Sequence, residues 1–545
     1  MSIADNKQEA VRNRLLRRVD WRFLLPNPQP GRTICFADGL LDQAVASIAG
    51  KESQGDGEQF GAHDLVVATN PDRATLQTAW AALRPGGVCY TEWQRPLVGG
   101  PQEVRRRLEA AGFDGVTCYW PWPRPAQGNA LFWLPLEAPG ALHHFLANRA
   151  PVRSAARRLA RALYQLAWRA GLQLRFVFPI CAIAHKPRLA TGDQDITDDV
   201  ALLNWIRAHW GDWGLGDRPA DLSWLLLTGG AQSINKVVGL LFADEEREPR
   251  LVVKWPRVPE SIPALEREVR TLRALHALQP AGIRGIPRLL FCRRTGDSLA
   301  VGETALTGVP LWALLRRENF RTFALQATDW LAKLAMPQCP QPRHLWWDRL
   351  VAPVLADFER HFGAVIELQW LQETCAILAT LDKLPLVCEQ RDFSPWNLLV
   401  DADGELVVLD WESAELAGLP ALDLLYFLAY LAIFLEGTMN TLRAVESYRA
   451  ILDPQTFTGG IVAECLARYV EQTGLDPQLL RPLRLLLWLI HSRSEYEHFV
   501  REAGGEPSTE LLQGSLFLRF WEEELKNCAR LGEPARHVEP YAVAS

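Results

Sequence analysis

The 545-residue sequence has no apolar stretch long enough to cross a membrane. Its longest uninterrupted apolar run, Leu424 to Leu435, is 12 residues. A spanning helix needs about 20, so this run predicts a buried helix. The opening MSIADNKQEAVRNRLLRRVDW holds no apolar core, and no secretory signal or membrane attachment is expected. No CxxC pair occurs among the 10 cysteines, spread singly from Cys35 to Cys528. That spacing excludes a zinc site and predicts reduced, mostly buried thiols in a cytoplasmic protein. A basic excess is missing too: 58 Lys and Arg stand against 64 Asp and Glu, a net charge of -6, which argues against a nucleic-acid partner. Internal repeats and long low-complexity tracts are also absent.

What is present is the composition of a soluble globular chain, 48% hydrophobic and 22% charged, with length for two or three domains. At the N-terminus Arg12, Arg14, Arg17, Arg18 and Arg22 recur with Leu15, Leu16 and Val19. This predicts an amphipathic helix docked on its own domain with the arginines on a solvated face. From Gly31 to about Pro187, short apolar runs alternate with helical stretches: RTICFA, LLDQAVASIAG, DLVVATN, DRATLQTAWAALRPGG, VCYTEW, EVRRRLEAAGF and DGVTCYW. The alternation predicts a parallel or mostly parallel α/β sheet. Gly50 to Asp64 reads as a glycine-rich loop and Pro151 to Gly171 as a helical stretch. FVFPICAIA reads as a closing strand and HKPRLATGDQDITDD as a linker. Near Asp221 a second pattern begins. LSWLLLTGG and NKVVGLLFA form a hairpin, PRLVVKWPR a further strand, and PALEREVRTLRALHAL a helix with Leu265, Val269, Leu272 and Leu275 on one side. Beyond Asp401 the chain is mainly helical.

The chemistry concentrates between Cys388 and Phe427. Asp392 falls in a loop, Asn397 follows it, and LLV with ELVVLD forms a hairpin around the turn DADG. Such a hairpin returns Asp410 beside Asn397. An amide oxygen and a carboxylate are hard ligands suited to magnesium bound with phosphates, and Asp392 could orient a hydroxyl and take its proton. Upstream, Lys254 ends an apolar strand and needs a partner; Glu268 is the natural one, with Glu266 a second choice. Between two strands, the segment from Thr228 through Gly229, Gly230, Ser233 and Asn235 could bring backbone N–H groups to phosphates.

The run Asp392-Phe-Ser-Pro-Trp-Asn397, followed by Leu409-Asp-Trp-Glu412, resembles the catalytic and metal-binding loops of the aminoglycoside phosphotransferase and choline kinase group. The resemblance implies a bilobal, protein-kinase-like α+β fold with Asp392 as catalytic base and Asn397 and Asp410 holding Mg2+. It further implies Lys254 with Glu268 aligning the ATP phosphates, and Gly229, Gly230, Ser233 and Asn235 covering them. By the same likeness Asp423 braces a helix, and Ser298 to Thr304 with Gly308 forms the strand and hinge against adenine. One position departs: where the family has His, this chain has Gln390, which is expected to support the loop by hydrogen bonding instead. Nothing like the APE-bearing activation segment follows Asp410, so a small-molecule hydroxyl is the expected acceptor.

The segment from DLVVATN through LRPGGVCYTEW to AGFDGVTCYW is similar to the distal half of S-adenosylmethionine-dependent methyltransferases. It lacks that family's glycine-rich first loop, Ala37-Asp38-Gly39 being the sole remnant. The likeness implies a Rossmann-like α/β domain that is degenerate and scaffolding, with no S-adenosylmethionine bound. Trp346, Trp347 and Trp370 are expected to serve core packing. His491, Arg493, Glu495, Tyr496 and His498 are expected on a solvated helix face.

The expected organisation is a methyltransferase-like domain over 1–188, a linker and helix over 189–220, a small kinase-like lobe over 221–308 and a helical lobe over 309–545. The expected activity is ATP- and Mg-dependent phosphoryl transfer to a small-molecule hydroxyl. The alternative is a nucleotide-binding scaffold whose kinase-like core does not turn over.

Overall fold

The computed structural model describes residues 3–49, 61–125, 128, 130–148, 179–188, 202–230, 232–278, 283–296, 298–335, 339–439, 441, 443–503 and 505–530. Most of the loop expected after Gly50, the helical stretch over 151–171 and most of the linker after His185 lie outside the described residues. The chain forms two compact units, one of Gln8–Val269 with Pro287–Ala305, the other of Met1–Lys7, Arg270–Ile286 and Leu306–Ser545.

The first unit is built on β1 (Thr33–Phe36), β2 (His63–Thr69), β3 (Leu83–Trp93), β4 (Asp114–Trp122), β5 (Phe132–Pro135), β6 (Ile180–His185), β7 (Leu222–Leu227), β8 (Val237–Ala243), β9 (Leu251–Trp255), β10 (Leu289–Thr295) and β11 (Ser298–Thr304). These form one 11-stranded sheet in the order β1-β2-β3-β6-β4-β5-β7-β8-β9-β11-β10. Only β1, β2 and β3 are parallel, with Val67 opposite Cys35 on one side and Tyr90 on the other. The expectation of a mostly parallel sheet is corrected here. β6 runs antiparallel between β3 and β4, and every later pair is antiparallel. Short returns such as β4 to β5 permit only antiparallel pairing, because a parallel neighbour requires a long crossover.

At the seam, Phe132 and Trp133 of β5 pair with Leu227 and Leu226 of β7. The apolar run LSWLLL suits a strand covered on both faces, and Leu225 and Leu226 are fully buried. One core runs continuously from Val19 and Trp21 through Tyr90 and Trp133 to Trp224, Trp255 and Phe291. Trp21 anchors its near end, stacked on Tyr90 at 3.7 Å.

The N-terminal helix spans Ile3–Arg18 and is followed by a 3-10 turn, Asp20–Leu24, and the arginines of the two do not all face solvent. Arg18 and Arg22 are buried; Arg18 makes two hydrogen bonds of 2.6 Å to Glu92, and Arg22 donates to the Arg257 carbonyl at 2.8 Å. Each buried guanidinium is neutralised or hydrogen-bonded, which is what makes its burial tolerable.

The second unit is mainly helical. The apolar run read from sequence lies in helix Leu422–Glu436, buried from Leu422 through Ile433. It packs among helices Phe320–Ala335, Arg443–Leu452 and Leu480–Ala503. Among the described residues, no helix is long and apolar enough to cross a membrane.

Candidate active site

In the helical unit, strands Leu398–Val400 and Leu406–Val408 pair with Leu398 opposite Val408. The turn between them closes on Asp401, whose Oδ1 accepts from the Asp403 and Glu405 amides at 2.9 and 2.8 Å. Gly404 takes φ 82° there, a conformation that excludes most side chains. The returning strand meets its own start: Leu409 N donates to Asn397 O at 2.9 Å. Asn397 and Asp410 therefore stand at one end of the hairpin, as the sequence predicts.

Asp392 joins them. Asn397 Nδ2 donates to Asp392 Oδ2 at 2.7 Å and to its carbonyl at 3.0 Å. With the amide nitrogen committed to Asp392, the amide oxygen is the atom Asn397 has for a cation. The loop is pinned by Phe393, fully buried with its ring 5.4 Å from both Trp330 and Phe427. Arg391 and Asp410 both take left-handed backbone, φ 67° and 62°, at a cost of about 1 kcal/mol each. Their neighbours must impose that conformation.

Gln390 does so. Fully buried, it donates through Nε2 to the Leu409 and Asp410 carbonyls at 3.0 and 2.6 Å, and its Oε1 accepts from Asp392 N at 2.8 Å. One side chain thus ties the loop of Asp392 to the segment of Asp410. From below, Asp423 in the first turn of helix Leu422–Glu436 accepts from the Gln390 and Arg391 amides at 2.6 and 2.8 Å. Burial pushes Asp423 up to about 6, against the pull of those two amides. Burial likewise pushes Glu389 up to about 7, with Arg391 opposing.

Among the described residues, no cluster of three or more His, Cys, Asp or Glu forms a metal-type arrangement. Asn397 and Asp410 instead offer one amide oxygen and one carboxylate, a donor set that fits magnesium already carrying phosphates.

In the sheet unit, Lys254 is buried on β9 and donates to Glu268 Oε1 at 2.6 Å. Glu266, the second choice from sequence, pairs with Arg294 at the surface instead. Sequence reasoning missed a second carboxylate, Glu303 on β11, whose Oε1 lies 2.7 Å from Lys254 Nζ. No sequence signal marked it: only the pairing of β9 with β11 puts Val301 opposite Lys254 and Glu303 two residues away, on the same face. Burial, with Glu268 adding and Lys254 opposing, pushes Glu303 up to about 7.

The glycine segment links β7 and β8. Gly230 takes φ 83°, and a Cβ there would run into the Asn235 side chain, so Asn235 braces the turn. Ser233 is buried rather than displayed. Thr228 is tied to the other half of the sheet, its N to Leu131 O at 2.8 Å and its Oγ1 to Ala130 O at 3.0 Å.

Residues 239–451 match the Phosphotransferase enzyme family. The match runs from β8 through helix Arg443–Leu452 and so takes in Lys254, Glu268, Asp392, Asn397 and Asp410. The C-terminal part has this family's kinase-like fold, with a large mixed sheet. A search of curated proteins found no match. Among solved structures, a thermostable mutant of aminoglycoside phosphotransferase APH(4)-Ia is 15% identical over 59% of this chain and 98% of its own, with a TM-score of 0.36. Aminoglycoside phosphotransferase APH(3'')-Id from Streptomyces rimosus is 18% identical over 52% and 97%, with a TM-score of 0.31.

Of the aromatic groups read from sequence, Trp346 is fully buried and Trp370 meets Trp521 edge-on at 6.0 Å, in keeping with packing. The late-helix series is corrected in part. His491 is partly buried and stacked on Tyr426 at 4.1 Å, desolvation lowering it to about 3, while Tyr496 stacks on His361 at 3.8 Å. Helices Ala352–Phe362 and Leu516–Arg530 pack against His491, Glu495 and Tyr496, while Arg493 and His498 are exposed as expected. A cavity of about 880 Å³ in the sheet unit, lined by Pro30, Arg84, His185 and Trp224 among others, includes none of the predicted site residues.

Proposed function

We propose that the chain is an ATP- and Mg-dependent phosphotransferase that phosphorylates a hydroxyl of a small molecule. The observation that carries this reading is the tie between Asp392, Asn397 and the segment of Asp410 through Gln390, inside a stretch that matches a phosphotransferase family. Asp392 orients the acceptor hydroxyl and takes its proton as the phosphoryl group leaves ATP. The Asn397 amide holds the Asp392 carboxylate in place while its oxygen, with Asp410, would hold magnesium. A magnesium ion held there would neutralise charge on the phosphates. Lys254, fixed by Glu268 and Glu303, aligns the α- and β-phosphates. Catalysis then rests on position and charge, with little covalent chemistry asked of the protein.

Asp392→Asn is the direct test. It keeps the hydrogen bond from Asn397 in reach but removes the proton acceptor. Phosphate transfer across a library of hydroxyl metabolites, read by mass spectrometry, should vanish while nucleotide binding persists. A variant as active as the wild type rules out the assigned base.

The second reading, a nucleotide-binding scaffold, rests on Gln390 standing where the family has His. Its three hydrogen bonds hold the loop formed, which favours turnover. For the N-terminal part the reading is a structural one. At the C-terminal ends of β1 and β2 a cavity of about 440 Å³ is lined by Ala37, Asp38, Asn70 and Arg18. A guanidinium paired with Glu92 and a turn with one glycine, Gly39, are a poor fit to a sulfonium cofactor. Calorimetry of the full chain with S-adenosylmethionine should show no binding heat.

A further inference from the structure

Arg257 lies three residues beyond Lys254, at the end of the strand segment PRLVVKWPR but assigned no role there, and its side chain is completely buried. Its guanidinium reaches in two directions. Toward the N-terminal segment, Nε donates to Asp20 Oδ1 at 2.9 Å and Nη2 to Asp20 Oδ2 at 3.1 Å, a two-pronged pair with a carboxylate that is itself fully buried. Toward the glycine turn, Nη1 donates to the Gln232 carbonyl at 2.7 Å and Nη2 to the Thr228 carbonyl at 3.2 Å. Those two carbonyls bracket Gly229 and Gly230. Arg22 closes the arrangement by donating to the Arg257 carbonyl at 2.8 Å.

A turn that receives phosphate must offer N–H groups and keep its carbonyl oxygens away from the anion. Arg257 takes up one carbonyl on each side of the paired glycines. Its planar fork can do this because Asp20 holds the plane still from behind. We propose that Arg257 is the positioning residue of the phosphate-covering turn, and that Asp20, delivered by the N-terminal segment, is the group that positions Arg257. The N-terminal part thereby belongs to the nucleotide-binding apparatus. This inference rests on the reading of the Gly229-Gly230 segment as a phosphate-covering turn.

The test compares ATP with adenosine, which lacks the phosphates, by calorimetry on the full chain with magnesium present. Arg257→Lys keeps the positive charge but loses the fork. It should weaken ATP by about tenfold, the equivalent of one or two lost hydrogen bonds, and leave adenosine unchanged. Asp20→Asn, which keeps the shape of the side chain, should shift the same ratio in the same direction. Arg12→Ala breaks an exposed 3.0 Å pair to Glu260 from the same N-terminal helix and should change neither ligand. General destabilisation lowers both affinities alike and leaves the ratio fixed, so it is not mistaken for positioning. Should Arg257→Lys not fold, Asp20→Asn carries the comparison. An unchanged ATP-to-adenosine ratio in the folded variants overturns the role of Arg257. A wild-type chain that binds neither ligand overturns the phosphotransferase reading itself.

Discussion

Exchanging Gln390 for Glu alters almost no volume but reverses the polarity of one atom. In the native loop that atom is an N–H donor facing the Leu409 and Asp410 carbonyls at 3.0 and 2.6 Å. A carboxylate oxygen there sets acceptor against acceptor in a fully buried position. Gln390→Ala removes three side-chain hydrogen bonds, at about 1 kcal/mol each, for about 3 kcal/mol of loop order. If that order is what holds Asp392 against Asp410, turnover should fall about 100-fold. Gln390→Glu should be worse than Ala at neutral pH, since repulsion is added to the loss of two donors, and should recover toward Ala in acid as the carboxyl regains a donor proton. The assay is the initial rate of magnesium-dependent ATP turnover across pH, with urea unfolding run in parallel to separate loop order from global stability. A Glu variant equal to the wild type at pH 7.5 refutes the argument.

Two further predictions follow from burial. The Glu303 carboxyl is pushed up to about 7 from an ordinary 4.5, so the folded state holds its proton more tightly than the unfolded chain. That contribution to stability is complete below about 4.5 and is lost as pH rises through 7. Glu303→Gln should therefore flatten the fall in thermal midpoint over this window; an identical pH dependence counts against the burial that raises Glu303. Trp133, fully buried at the seam between β5 and β7, should cost about 3–5 kcal/mol as Ala. Hydrogen exchange should then speed up in β2 and β3 as well as in β7 to β9; acceleration confined to one side would show that the sheet does not act as one body.

The loop from Asp392 to Asp410 was legible because its logic is local. A short hairpin fixes which residues come together, and polar side chains at the ends of apolar strands mark where chemistry must sit. Lys254 with Glu268 was legible for a similar reason, a charge in an apolar strand followed by a helix with a carboxylate. Glu303 and Arg257 were not, because their partners are set by strand pairing and by a segment more than 200 residues away, neither of which periodicity encodes. Most strands of the α/β part were read from the sequence, but β5 was missed, the start of β3 was taken for a turn, and the directions were misread. The insertion of β6 between β3 and β4 is a choice made by the tertiary core. Likewise the face bearing His491 looked polar enough for solvent, and only the packing of two other helices shows that its His491 and Tyr496 side is partly covered.

The continuous sheet bears on where this protein can be cut. The family match opens at residue 239, which falls inside β8 and leaves behind its hairpin partner β7. A fragment begun there would display the flank of β8 as a raw, unpaired margin. One begun just before β7 would bare a leucine-rich ribbon that β5 now covers. Either fragment invites intermolecular strand addition, so a kinase-like piece freed of its N-terminal half should come out of solution as aggregate rather than as a smaller enzyme.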